Sequence, residues 1–260
     1  MDSLSGGRAT EPSADPSASS SGDGAVVYVG RDLEAMSFAE NYHRWILDRF
    51  RPYLGRRLVE VGAGSGTFSE LLLEGVVDSL DLVEPSEAMY RLLEERARSF
   101  GRAAVATHHT TFGQVADRLR DSAPDSVIYV NVLEHVEDDV GELATVHQTL
   151  SPGGRVFLFV PAFRWLYGAF DEQVGHYRRY TEGELVEKCG RAGFRVVASR
   201  YFDLFGVLPW WVKYRLLKSD ALEPGAVKLY DRWVVPVARR LEARRRPPLG
   251  KNVLVVAERS

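Results

Sequence analysis

Three glycines at alternate positions, Gly62, Gly64 and Gly66, follow an apolar run that carries Glu60, in the stretch LVEVGAGSGTF. Glycine lets a backbone turn sharply and approach a ligand closely, and a loop that opens a helix offers free N–H groups to an anionic group such as a carboxylate. Ala63 lies inside this bend. Glu84 closes the second apolar run, where a carboxylate is placed to accept hydrogen bonds from both hydroxyls of a ribose. Pro85 follows it, and Met89 in the next turn offers a polarizable face to an aromatic base. A dinucleotide fingerprint requires G-x-G-x-x-G, hence a glycine where Thr67 stands; the loop here is G-x-G-x-G. A nucleoside with a polar tail fits the pattern better than a dinucleotide.

Four histidines are candidates for moving a proton near neutral pH. His108 and His109 lie at a strand end, His135 follows the fourth apolar run, and His176 lies in GHYRRYT. His176 leads and His135 comes second, while His43 and His147 fall on helical patterns and read as solvent-facing. The competing reading of His176 is an ordinary hydrogen-bonding residue in a loop anchored by Arg178 and Arg179. Tyr28, in AVVYVG, is a third catalytic candidate, reaching in from the N-terminal side. No histidine and cysteine grouping has metal-ligand spacing, so no metal is expected.

The elements that position these residues follow from the hydrophobic pattern. Residues 1–24 are Ser, Gly, Pro, Ala and Asp with little to bury, and read as a disordered tail before a single domain over 25–260. Leu33, Met36, Ala39, Tyr42, Ile46 and Phe50 recur at helical spacing and predict a cap helix within 25–52, with Tyr42 and Trp45 placed to fold over a ligand. Strand-like runs then alternate with helices: RLVEVG, LDLVE, RAAVATH, DSVIYVN and RVFLFVP. Such alternation predicts a parallel sheet with helices on both faces. Thr181 and Glu184 form a capping-box signature for a further helix, and FRVVASRYF and NVLVVAER read as the last two strands, separated by an aromatic and basic helical insert over 204–248.

Composition bounds the function. The chain has 260 residues, is 45% hydrophobic and has a formal net charge of -3, which does not suit a polyanion partner. Its one cysteine, Cys189, cannot form an internal disulfide, and no run approaches the roughly 20 apolar residues of a membrane span. A cytoplasmic protein without nucleic-acid partner or membrane insertion is expected, and a homo-oligomer is compatible with the sequence.

Taken in order, VEVGAGSGTF, LVEPSEAM, DSVIYVNVLEHVEDD and LSPGGRVFLFVPA resemble four motifs of the class I S-adenosylmethionine-dependent methyltransferases, in particular the small-molecule, natural-product branch. The resemblance covers about residues 40–203 plus the last strand. It implies a Rossmann-like seven-stranded sheet, mostly parallel, with the seventh strand antiparallel between the fifth and sixth. It also implies S-adenosylmethionine as methyl donor. Glu60 and the 62–66 loop would hold its methionine part, Glu84 its ribose, and Asn131 with Val132 would lie near its amino or sulfonium group. Family members often touch the adenine with an acid after the third strand; this chain has THHTTFGQ, which leaves Thr111 or Phe112 for that contact.

For the acceptor pocket, Glu134 with His135 would begin the wall. Phe163, Trp165, Tyr167, Tyr177, Tyr180 and Trp210 concentrate aromatic surface outside the sheet. They suit a small, flat acceptor such as a phenol or indole, methylated at nitrogen, oxygen or an electron-rich carbon in secondary metabolism; the bland alternative is a satellite core that only seals the insert. Other functional alternatives are a lipid-linked acceptor, an NAD(P)-dependent oxidoreductase and a non-catalytic relative.

Overall fold

The computed structural model describes residues 39–101, 104–219 and 223–260, so the N-terminal tail, Tyr28 and the first turns of the expected cap helix lie outside the described residues. Seven strands form one sheet in the order β3-β2-β1-β4-β5-β7-β6. They are β1 Arg57–Val61, β2 Ser79–Val83, β3 Ala104–His108, β4 Ser126–Val130, β5 Arg155–Pro161, β6 Phe194–Phe202 and β7 Asn252–Arg259. The first five pair in parallel, whereas β7 runs antiparallel to both β5 and β6. The sheet is the expected one, including the reversed strand between the fifth and sixth.

Alternate residues of each central strand feed opposite faces, as the pleat requires. Val59, Tyr129, Leu158 and Val255 belong to one core; Leu58, Ile128, Phe157, Phe159 and Val256 belong to the other. The first face is covered by Phe112–Asp121 (here α4), Asp139–Thr149 (α5) and Glu182–Arg191 (α7). The Thr181–Glu184 capping box forms as expected: Thr181 N donates to Glu184 Oε2 at 2.7 Å. Thr111 caps α4 through a second box with Gln114. The remaining elements of the first half are α1 Glu40–Phe50, α2 Thr67–Leu72 and α3 Glu87–Ala97, and α6 is the short helix Ala169–Gln173 before α7.

α1 lies on the second face with Tyr42, Trp45, Ile46, Leu47 and Phe50 all buried. The ring of Trp45 lies 3.9 Å from that of Phe202, tilted by 35°, so it is a core residue rather than part of a cover. His43 is likewise buried, contrary to the solvent-facing expectation, because the helix is enclosed on that side too. The insert packs beside α1. Its first arm is α8 Val207–Trp210 running into a π turn, Trp211–Leu216. Its second is α9 Pro224–Leu229, a π turn Tyr230–Val234 and α10 Val235–Arg244, with Val235 and Ala238 in the core beside α1.

Ala39, at the start of α1, supplies no side-chain cap. The carboxylate of Asp231, from the insert, takes that role: it accepts from Tyr42 N at 2.8 Å and from Asn41 N at 3.1 Å. Free N–H groups at a helix start need such an acceptor, and here it comes from a distant segment. No helix among the described residues is long and apolar enough to cross a membrane.

Candidate active site

A cavity of about 210 Å³ opens at the carboxyl ends of β1, β2, β4 and β5. The loop after β1 forms one end. Gly62, Gly64 and Gly66 all have positive φ, at 67°, 55° and 82°. A side chain at position 62 is excluded twice over, because its Cβ would lie 2.4 Å from Val132 Cγ2. The loop is tied back to β2 by Gly62 N and Ala63 N, which both donate to Val83 O. Glu84 braces it from below: Oε2 accepts from Gly64 N and Oε1 from Ser86 N, each at 2.8 Å. Glu84 is buried, and burial pushes its carboxyl above the ordinary range even though those backbone donors pull the other way.

Glu60 lines the same end and accepts a hydrogen bond from Ser69 Oγ. Burial pushes it up to about 8, with the nearby Glu84 charge acting in the same direction. Two buried carboxyls under a glycine loop, both pushed up by burial despite their hydrogen bonds, form a pocket that favours a cation. The α-ammonium and sulfonium of S-adenosylmethionine supply such charge, and the bare loop leaves room for the carboxylate end; the residues present therefore fit that donor. Asn131, at φ 55°, ends β4 on the cavity wall, and its Oδ1 accepts from Asn252 Nδ2 at 3.4 Å. Asparagine tolerates this left-handed backbone better than most residues.

The other end is built by segments far apart in sequence. His176 Nδ1 lies 2.7 Å from Asp171 Oδ1, and Arg179 Nε donates to the same oxygen at 2.8 Å. Asp171 is fully buried; burial raises its carboxyl, but the bonds from His176 and the Arg179 charge outweigh this and hold it below its ordinary value. An ionised Asp171 assigns the proton to His176 Nδ1 and leaves Nε2 as a lone pair. Burial lowers His176, opposed by Asp171, which favours the neutral ring. His135 stands edge-on to it, with ring centroids 4.6 Å apart, and burial lowers it to about 3. Phe170, Val174, Phe159 and Trp210 supply the apolar wall, and Lys251 lies 4.7 Å above the Tyr42 ring. Among the described residues, His43 Nδ1 and Trp210 Nε1 are buried without a hydrogen-bond partner on this wall.

The sequence shows no metal-ligand spacing, yet the fold gathers Glu134, His135 and His176 with one ligand atom each within 4.8 Å of one another. Glu134 is fully buried, both its oxygens lack a hydrogen-bond partner, and burial pushes it up to about 8. The buried guanidinium of Arg179 acts on the same carboxylate, a fixed positive charge that competes with any cation there.

A family model described as a methyltransferase domain matches residues 35–199. The chain belongs to this methyltransferase family. Its donor is S-adenosylmethionine, in keeping with the glycine loop and the two acids beneath it. Among curated relatives, a ubiquinone biosynthesis O-methyltransferase of Methylococcus capsulatus is 35% identical over 106 residues, covering 40% of this chain and 42% of the relative. One from Pseudomonas aeruginosa is 29% identical over 116 residues, covering 44% and 47%. The chain spans less than half the length of these relatives. Among solved structures, a SAM dependent methyltransferase from Archaeoglobus fulgidus aligns with a TM-score of 0.57 at 20% identity, over 87% of this chain and 98% of that one. The [4+2]-cyclase SpnF aligns with a TM-score of 0.53 at 16% identity, over 84% and 80%. At these identities the likeness establishes the fold alone.

Of the expected site residues, Tyr42, Glu60, Gly62, Ala63, Gly64, Glu84, Asn131, Val132, His135, His176 and Trp210 line one cavity. The others do not. Gly66 precedes α2, where a Cβ would press on Leu93 and Arg96; Pro85 O accepts a hydrogen bond from His109; and Met89 is a buried residue of α3 itself. Thr111 is an exposed helix cap and Phe112 a core residue against Tyr129, so neither borders the cavity. Glu134 does not line the cavity but is buried with Oε1 3.8 Å from His176 Nε2. Phe163 stacks on Tyr201 at 4.8 Å and Trp165 leans on Phe163, so both belong to a satellite cluster. Tyr167 is engaged with His176 O, Tyr177 is exposed, and Tyr180 is buried with its hydroxyl donating to Asp139 Oδ2 at 2.9 Å.

The sequence reading missed His43, Phe170, Arg179 as a cavity residue, Lys251 and Asn252. Asn252 also accepts the Tyr42 hydroxyl hydrogen bond at 3.0 Å. Only the reversed seventh strand, whose first residue falls opposite Pro161, hinted that its start belongs at the ligand edge.

Proposed function

We propose that the protein transfers the methyl group of S-adenosylmethionine to an oxygen, nitrogen or electron-rich carbon of a small aromatic metabolite of the natural-product kind. One observation carries this reading: a single cavity has the glycine loop with Glu60 and Glu84 at one end, and the His176–Asp171 pair with an aromatic wall at the other. The name of the curated relatives favours oxygen as the accepting atom.

The donor supplies an electrophilic methyl group on a sulfonium. The chain's own work is to hold the acceptor in line with it and to exclude water, which contributes more to such a displacement than any bond to the protein. Phe170, Trp210 and Phe159 provide flat apolar contact for a ring. His176 Nε2 takes the proton of a phenol or amine as the acceptor becomes nucleophilic. Asp171 fixes the ring and stabilises the imidazolium that results, and Arg179 keeps Asp171 ionised. His135, which burial lowers to about 3, serves as wall.

The test is a panel of phenols, indoles and amines offered with label-bearing donor. Label transfer to a phenolic or indolic member supports the proposal, whereas donor binding with no transfer to any aromatic acceptor counts against it.

A further inference from the structure

The second arm of the insert, 224–245, carries one buried stripe and one exposed apolar stripe. Asp231, Val235, Ala238 and Glu242 form the inner one, packed on the domain at 6%, 0%, 0% and 4% exposure. Leu229, Trp233, Val237 and Leu241 recur every fourth residue on another side and are bare, at 63%, 64%, 50% and 49%. A helix on a soluble protein ordinarily turns polar residues outward once its buried face is satisfied. The first arm repeats the pattern, with Leu208, Leu216 and Leu217 at 66%, 59% and 70%. Isolated exposed leucines need no explanation, but a regular stripe with a tryptophan in it does.

The charge around the stripe is equally one-sided. Residues 204–248 contain ten lysines and arginines against four aspartates and glutamates, in a chain whose formal net charge is -3. Two of those four acids, Asp231 and Glu242, are buried, so the surface is more basic than the count. Arg232, Arg240, Arg244 and Arg245 are exposed on the same arm as the stripe. Long basic side chains beside apolar ones can bury their stems while their heads reach phosphates.

We propose that the insert docks the protein on an anionic lipid surface, with Leu229, Trp233, Val237 and Leu241 entering the headgroup boundary and the neighbouring arginines pairing with lipid phosphates. The combination of an apolar stripe and flanking cations is that of an interfacial helix. A second copy of the chain fits less well, because a two-fold contact through this face would set like charges against each other. The first arm of the insert reaches the cavity: Trp210 lines its wall and the exposed Trp211 follows it.

Flotation of the full chain with vesicles tests this, comparing phosphatidylcholine alone with phosphatidylcholine containing phosphatidylglycerol. Binding is expected only with the anionic lipid, weakened on the order of tenfold or more when Leu229, Trp233, Val237 and Leu241 are all replaced by Ser. An Arg232→Gln/Arg240→Gln variant should bind about fivefold more weakly per charge removed, and it keeps the apolar stripe should the serine variant fail to fold. Absence of flotation, or flotation equal in wild type and the arginine variant, would overturn the proposal. So would a dimer that dissociates in the serine variant, which gives the face to a second copy. Flotation only after removal of residues 1–38 would assign the stripe to that segment instead.

Discussion

The two ends of the cavity are made in different ways. The donor end is short-range: Glu60, the glycine loop and Glu84 lie within one β-α-β unit, and their hydrogen bonds span at most about two dozen positions. The end proposed for the acceptor joins His135 after β4, Phe170 and His176 with its partner Asp171 after β5, Trp210 of the insert and Lys251 before β7. Local backbone chemistry builds the first; tertiary packing builds the second. Changes at the donor end should therefore alter donor affinity and spare the acceptor, and the reverse should hold at the other end.

The sharpest test of that separation is His176→Ala. Turnover should fall about 10²- to 10⁴-fold, the usual worth of a general base, while calorimetric donor affinity stays unchanged. Asp171→Asn should retain more activity but move the pH–rate profile, since the ring loses its orienting charge; an unmoved profile would break the assigned pairing. Glu84→Ala should next weaken donor binding on the order of a hundredfold, because it removes the brace of Gly64 and the carboxyl proposed to meet the donor's ribose. Equal losses in acceptor KM would blur the division between the ends.

A smaller effect concerns pH. Glu60 sits near 8 without ligand, so at pH 7 it is mostly protonated, and a cationic donor drives the proton off. Donor affinity should rise with pH up to about 8, by as much as about tenfold per unit, and binding should release protons in calorimetry across buffers of different ionisation enthalpy. Glu60→Gln should flatten both. Smallest is Trp210→Ala, for which a several-fold rise in acceptor KM with unchanged donor affinity is expected from the loss of one aromatic contact.

The same contrast explains what the sequence disclosed. Glycines at 62, 64 and 66 and an acid at 84 are signals that hardly depend on the rest of the chain, because positive φ and strand-end geometry are local demands. The strands and the Thr181 capping box were legible for the same reason. His43 was not: its helical spacing fits a solvent face, and it is buried in the fold, with its ring against Phe68 of α2. Tyr180, Tyr167 and Phe163 were aromatic residues at a suitable place in the chain, but nothing local told that Asp139, His176 O and Tyr201 would engage them. The Glu134, His135 and His176 cluster joins residues on either side of β5, which no spacing rule connects.

The reversed seventh strand has a kinetic consequence. β7 enters between two strands that precede it, pairing with β5 across some ninety positions, and it brings Lys251 and Asn252 to the cavity only when that pairing forms. Contacts of such separation form late, since their loop entropy must be met before they reward the chain. During refolding, helices and the glycine bend should return first, and the capacity to retain an acceptor should lag behind them.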